Sequence, residues 1–346
     1  MQLTIEHTMR NESTNPNRIF KMMRNFKVLL FIFFSIVVFG QTDVYHGIKE
    51  TIPKIPPKNE KIRTIIVSDA KNEIDDVWAL ALAVLSPERL QIEGFVGSNY
   101  DHVFGVGKKS ISGSVSVIKT ILDKADLKGK YPVYAGSHPM QYQFEPSHSE
   151  GVDFIIEKAM EGSSDNPLWV IGLGSATDLA SAYLKEPKIA DRIIFFWHGR
   201  TENTWPYRAH NYNVKGDMHA ARMLFHSPVP LVLFDTGTNL SAGTMEESKE
   251  KVEPFGELGK YLYNYRFKSD YWQGTKKGFF DLGDIAVLID PELGEWEETV
   301  CPTVTTYMDY NFYKTNGKFL RCKKVDRDGT FKMLYRKLEE FWASRQ

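Results

Sequence analysis

Cysteine is nearly absent: the 346 residues hold two, Cys301 and Cys322. Two such thiols make neither a disulfide scaffold nor a sulfur-bound structural metal site. Surplus charge is absent as well, with 43 Lys+Arg against 44 Asp+Glu. A chain of net charge −1 has no long-range field to steer a polyanion. It also has no basic stripe, RNP-like motif or zinc finger, so no nucleic-acid partner is expected. No apolar run reaches the roughly 18–20 residues that span a bilayer. The pair Gly172 and Gly174 is followed by neither a third Gly nor Gly-Lys-Ser/Thr, which argues against a phosphate loop. What remains, 42% hydrophobic and 13% aromatic, is globular composition rather than collagen or low-complexity disorder.

The longest apolar stretch lies near the start. Residues 28–40, VLLFIFFSIVVFG, follow Arg24 and Lys27 and precede polar Gln41. This reads as a secretory signal peptide over residues 1–40, with Met22 or Met23 as a more usual start. A secreted or periplasmic location is expected; an uncleaved membrane anchor is the alternative. No cysteine follows the run, so a lipoprotein anchor is not expected. Export would permit a Cys301–Cys322 disulfide, which the sequence leaves open. Residues 41–61, with Pro53, Pro56 and Pro57, read as a short irregular linker, and 62–346 as one domain.

From residue 62 the pattern alternates. Short runs rich in β-branched residues recur at Ile62–Ser68, Leu90–Gly97, Pro132–Ala135, Leu168–Leu173, Arg192–Trp197 and Pro230–Phe234. Helical stretches separate them at Asp75–Leu85, Ser110–Leu122, Gly151–Met160, Ala176–Leu184 and Asp217–Phe225. Near-continuous apolar strands alternating with helices predict an α/β fold, a mostly parallel open sheet with helices on both faces. Ligands bind such sheets at the C-terminal ends of the strands.

The residues at those ends carry the chemistry. The first strand runs into Ser68-Asp69-Ala70-Lys71-Asn72-Glu73-Ile74-Asp75-Asp76, four carboxylates in eight residues. One or two acids are explained as helix N-terminal residues favoured by the macrodipole. Four repel one another strongly, and a hard cation with oxygen ligands, calcium before magnesium, offsets that. The other strand ends bring Ser98-Asn99, Ser175-Ala176-Thr177-Asp178, His198-Gly199 and, further on, Asn211-Tyr212-Asn213 and Asp281-Leu282-Gly283-Asp284.

In this order the motifs resemble the inosine–uridine-preferring nucleoside hydrolase family. Asp69, Asp75 and Asp76 keep three acids of its opening D-x-D-P-G-x-D-D. Ser98-Asn99 is similar to its G-N, Ser175–Ala180 to its P-L-T-N-I-A turn, and Asn211–Asn213 to its E-F-N. Phe280–Ala286 resembles its H-D-P-x-A-V-A helix start, with Asp290-Pro291 in register beyond. The resemblance covers roughly residues 62–345. It implies a Rossmann-like open sheet bearing a calcium ion, and hydrolysis of the N-ribosidic bond of nucleosides by metal-activated water.

Carried over residue by residue, the resemblance makes Asp69, Asp76, the Thr177 carbonyl and Asp281 metal ligands. Asp75, Asn99, Asn211 and Asn213 become substrate contacts. Two positions depart. The family's second acid falls on Lys71, which cannot coordinate calcium; Asn72 or Glu73 could supply the missing oxygen. A branch of the family reading D-x-x-N-E-x-D-D is similar. Asp69, Glu73 and Asp76 are then the candidate catalytic acids. Phe280 replaces a His beside the late Asp that helps the base leave; His198, His210, His138 and His102 are substitutes, and His198 is taken here. Trp197, Trp205 and Tyr207 are candidates for stacking on a base. The alternatives are a hydrolase of a non-nucleoside glycoside and a sugar-binding relative without catalysis. A homo-oligomer is compatible with all three.

Overall fold

The computed structural model describes residues 47–200, 205–242, 245–267 and 277–346. The expected signal peptide lies outside the described residues.

Eight strands form one sheet: β1 (Ile62–Ser68), β2 (Leu90–Gly97), β3 (Val133–Ala135), β4 (Leu168–Gly172), β5 (Ile193–Arg200), β6 (Leu231–Asp235), β9 (Gly294–Val304) and β10 (Tyr310–Val325). Their order is β3-β2-β1-β4-β5-β6-β10-β9. Every pairing is parallel except β9 with β10. A two-stranded ribbon, β7 (Ser241–Ala242) against β8 (Lys277–Gly278), stands outside it. The helices are α1 (Asp75–Val84), α2 (Ser110–Lys124), α3 (Glu150–Met160), α4 (Thr177–Lys185), α5 (Tyr212–Gly216), α6 (Met218–His226), α7 (Met245–Lys251), α8 (Gly256–Phe267), α9 (Phe280–Ile289) and α10 (Arg327–Ala343).

The chain builds outward from β1 to β3, then returns to β4 and builds the other way. The β1–β4 junction is therefore the switch point at which the strand-end loops part and leave a crevice. Strands β1, β4 and β6 are buried at every position, as parallel strands covered on both faces must be. Helix α1 is buried along its whole length and packs on α9, which matches its lack of a polar face. That packing brings the Asp69–Asp76 loop to the start of α9, where Asp281 sits.

The predicted alternation matches β1 to β6, α1 to α4 and α6 to within a few residues. It did not extend to the antiparallel β9–β10 pair, the β7–β8 ribbon or the last helix. Both cysteines are buried and free.

Residues 47–61 run without helix or strand apart from a single bridge at Lys49, held by two buried cations. The Lys49 ammonium donates to the carbonyls of Leu224, Ser227 and Val229 at 2.6–2.9 Å. Arg89, 1% exposed, donates to the carbonyls of Pro56, Pro57, Glu60 and Leu288. Replacing Arg89 by Met removes the donor from all four carbonyls, of which Leu288 O lies in the interior. Arg89→Met is expected to cost about 2–4 kcal/mol, read as a lower urea midpoint at constant m.

Candidate functional site

A cavity of about 280 Å³ opens at the C-terminal edge of the sheet, lined from six separate stretches of chain. The β1–α1 loop contributes Asp69, Asn72, Glu73, Asp75 and Asp76. Leu173 comes from the end of β4, His198 from β5, Asn211–Asn213 from the start of α5, Thr238 from the β6–β7 turn, and Phe280 and Asp281 from α9.

The acids are assembled at close range. Carboxylate oxygens of Asp75, Asp76 and Asp281 all lie within 4.8 Å of one another, and all three residues are buried. Asp76 Oδ1 accepts from the Ser68 hydroxyl at 2.5 Å, and Asp69 Oδ2 accepts from Asn72 Nδ2 at 2.8 Å. Burial, then the charge of Asp75, pushes Asp76 up to about 7. Burial, then Asp76, holds both Asp69 and Asp281 well above the carboxylate range. Such a set is unfavourable by itself. Its donors are oxygens, it is buried, and it is under-neutralised, which is the chemistry of a site for a hard divalent ion.

His198 forms the adjoining wall. Its Nδ1 lies 2.6 Å from Asp284 Oδ2 and 3.5 Å from Asp281 Oδ1. Burial alone would lower the imidazole pKa; Asp284, Asp75 and Asp76 outweigh it and the net shift is upward. Asp284 is held near 6, raised by burial and opposed by His198. Spacing of three residues on α9 puts Asp281 and Asp284 on one helix face. The D-L-G-D string carried that signal, but nothing local tied it to His198. Of the four histidine candidates, His198 lines the cavity. His138 pairs with Asp101 at 2.6 Å, His210 is exposed, and His102 packs edge-on against Tyr212.

Both departures from the family motif acquire a structural account. Lys71 is exposed and its ammonium lies over the Tyr265 ring, 5.7 Å from the centroid, so it points away from the cavity. Asn72 turns inward in its place, its Oδ1 accepting from the Tyr212 hydroxyl at 3.0 Å. Glu73 lines the cavity and pairs with Lys277, a buried cation that the sequence pattern did not single out. Burial and Asp75 raise the Glu73 pKa, against Lys277.

Asn211 and Asn213 line the cavity and fix its floor. Asn213 Nδ2 donates to the carbonyls of Leu173 and His198, at 2.8 and 2.9 Å, tying β4 to β5. Asn211 caps α5 and donates to Gly199 O. Asn99 and Thr177, in contrast, do not line the cavity. Asn99 donates to Ser137 O and the Thr177 hydroxyl, and Thr177 donates to Asp217, in a buried network behind the wall. Leu173, not Thr177, presents the β4 end to the cavity. Gly174 next to it allows close packing: a Cβ there would meet Asp69 Oδ1 at 2.6 Å and Ser98 Oγ at 2.9 Å.

The aromatic lining also differs from expectation. Trp197 is fully buried and donates to Gly174 O, Trp205 packs against Tyr310, Phe312 and Phe319, and Tyr207 is exposed. Tyr212 and Phe280 are the aromatic residues of the cavity wall.

Residues 65–332 match the model of the family described as inosine-uridine preferring nucleoside hydrolase. The chain is 30% identical over 164 residues to the pyrimidine-specific ribonucleoside hydrolase RihB of Shigella flexneri, covering 44% of this chain and 50% of that protein. It thus spans about half the length of that curated relative. It is 24% identical over 322 residues to the pyrimidine-specific ribonucleoside hydrolase RihA of Enterobacter sp. (strain 638), covering 80% and 98%. The structure of a purine-preferring ribonucleoside hydrolase from Gardnerella vaginalis superposes with a TM-score of 0.62 at 19% identity, covering 81% of this chain and 99% of that one. The fold is therefore shared, and the chain belongs to the inosine-uridine preferring nucleoside hydrolase family.

Proposed function

We propose that this protein hydrolyses the N-glycosidic bond of ribonucleosides, with calcium held by Asp69, Asp76 and Asp281 and with Asn72 adding an oxygen. The observation that carries the reading is the convergence of buried carboxylates from β1–α1 and α9 on one cavity. When bound, a hard divalent ion supplies a water of lowered pKa beside the sugar.

The chain's own groups do the rest. Asp75 accepts hydrogen bonds from sugar hydroxyls, with Asn211 and Asn213 shaping the wall beneath. Asp69, whose carboxyl is held above the ordinary carboxylate range by burial and the charge of Asp76, serves as the proton acceptor. The clustered negative charge favours the cationic, oxocarbenium-like transition state over the neutral substrate. Tyr212 and Phe280 flank the departing base, and His198, oriented by Asp284, offers it a proton. Export through residues 1–40 belongs to the same proposal and is checked by fractionating cells that express the full chain.

Incubation with inosine, uridine, cytidine and adenosine in calcium, with a reducing-sugar assay, tests the activity. Release of ribose from at least one is expected. No release from a broad nucleoside panel sinks the nucleosidase reading. Phe280 in place of a His favours a second reading, in which the glycoside is not a nucleoside; turnover confined to a carbohydrate panel selects it.

A further inference from the structure

Lys277 entered neither the residue pattern nor the family resemblance, yet it reaches the heart of the acidic loop. It lies on β8, three residues before Phe280, and is 3% exposed. Its ammonium contacts Glu73 Oε2, lies 3.3 Å from Asp75 Oδ1, and donates to Gly278 O at 2.8 Å. It also stands 5.0 Å from the centroid of the Phe280 ring. Glu73, Asp75 and Phe280 all line the cavity. A buried lysine holding two cavity acids does more than neutralise them. Its contacts with the cluster are uneven: Asp76 accepts from Ser68, Asp281 adjoins His198, and neither has a contact with Lys277 among the described ion pairs.

We propose that Lys277 is a positioning residue that divides the acidic cluster in two. It fixes Glu73 and Asp75 against the β7–β8 ribbon on the substrate side and leaves Asp76 and Asp281 to the divalent ion. The kinetic half of this inference rests on the hydrolase reading; the electrostatic half does not. A positive charge touching Asp75 repels a divalent ion held by the carboxylates grouped with Asp75. Removing that charge strengthens ion binding, whereas loss of a merely structural prop would loosen the loop and weaken it.

The test is calorimetric titration of the full chain with Ca²⁺, comparing wild type, Lys277→Met and Lys277→Arg. Lys277→Met is expected to bind Ca²⁺ about tenfold more tightly, and Lys277→Arg within about threefold of wild type. In turnover, Lys277→Met is expected to raise KM for the nucleoside about thirtyfold with kcat within about threefold, because Asp75 loses its anchor while the ion site stays intact. Unchanged or weaker Ca²⁺ binding by Lys277→Met overturns the proposal, as does a wild type that binds no Ca²⁺. Should Lys277→Met fail to fold, Glu73→Gln decides: it shifts Lys277 onto Asp75, and Ca²⁺ binding is expected to weaken about fivefold. Unchanged or tighter binding by Glu73→Gln overturns it. A wild type that binds Ca²⁺ but cleaves no nucleoside refutes the hydrolase reading alone, and the titration still decides the role of Lys277.

Discussion

Asp281→Asn is expected to abolish calcium binding and lower nucleoside turnover by about three orders of magnitude or more, while the metal-free protein melts at the same or a higher temperature. The substitution keeps the shape of the side chain and removes one charge from a set whose oxygens lie within 4.8 Å of one another. Divalent affinity for oxygen donors follows the number of charged ligands, so this loss falls directly on the ion. The fold does not depend on that charge. Asp281 adjoins Asp76 and Asp75, and its ionisation is opposed by burial and by both of them. Relieving that repulsion favours the folded metal-free chain, a separation of stability from function common at active sites. Calorimetry, initial rates and thermal melts in chelator check the three parts. Retained calcium affinity removes Asp281 from the site. A sharp fall in the metal-free melting temperature identifies it as structural instead.

Without metal, the protein is expected to become more stable as the pH falls from 8 to 6, and added calcium is expected to flatten or reverse that trend. The direction follows from proton counts. Asp76 is raised from 3.8 to about 7 in the folded chain, so between those values the folded state binds more protons than the unfolded one. Stability then declines as pH rises through that interval. From pH 8 to pH 6, Asp76 alone contributes about 1.4 kcal/mol on acidification. Asp69 and Asp281, also raised, add in the same direction, as does His198, whose raised pKa favours the protonated folded form at low pH. Calcium requires the deprotonated carboxylates, so saturating ion stabilises most where protons compete least. Urea unfolding at pH 6, 7 and 8, with chelator and with calcium, reads both slopes. Metal-free stability that rises with pH contradicts the burial of an uncompensated cluster.

Much of this protein is written locally. The run Ile62–Ser68 followed by four acids and an apolar helix declares a strand, a strand-end loop and a buried helix within twenty-five residues. Strand burial and helix periodicity are short-range properties, which is why β1 to β6, α1 to α4 and α6 were legible. The β9–β10 pair was not, because its half-buried strands alternate irregularly and carry polar residues on the exposed side. Within the site, Asp69, Glu73, Asp75, Asp76, Asn211, Asn213, His198 and Asp281 come together on one cavity. Asn99 and Thr177 do not line it; the Asn99 amide nitrogen and the Thr177 hydroxyl are engaged in the network behind it.

By itself the sequence determined the alternation of strands and helices, the crowding of acids after the first strand, and the order of motifs that marks the family. Tertiary structure decided which charges meet. Lys71 sits inside the acidic motif yet turns out to solvent against Tyr265, whereas Lys277, 204 residues from Glu73, is driven into the cluster. The reason is physical. A side chain's direction is set by the backbone beneath it and its environment by elements packed from elsewhere, so a charge beside acids in the chain need not lie beside them in space.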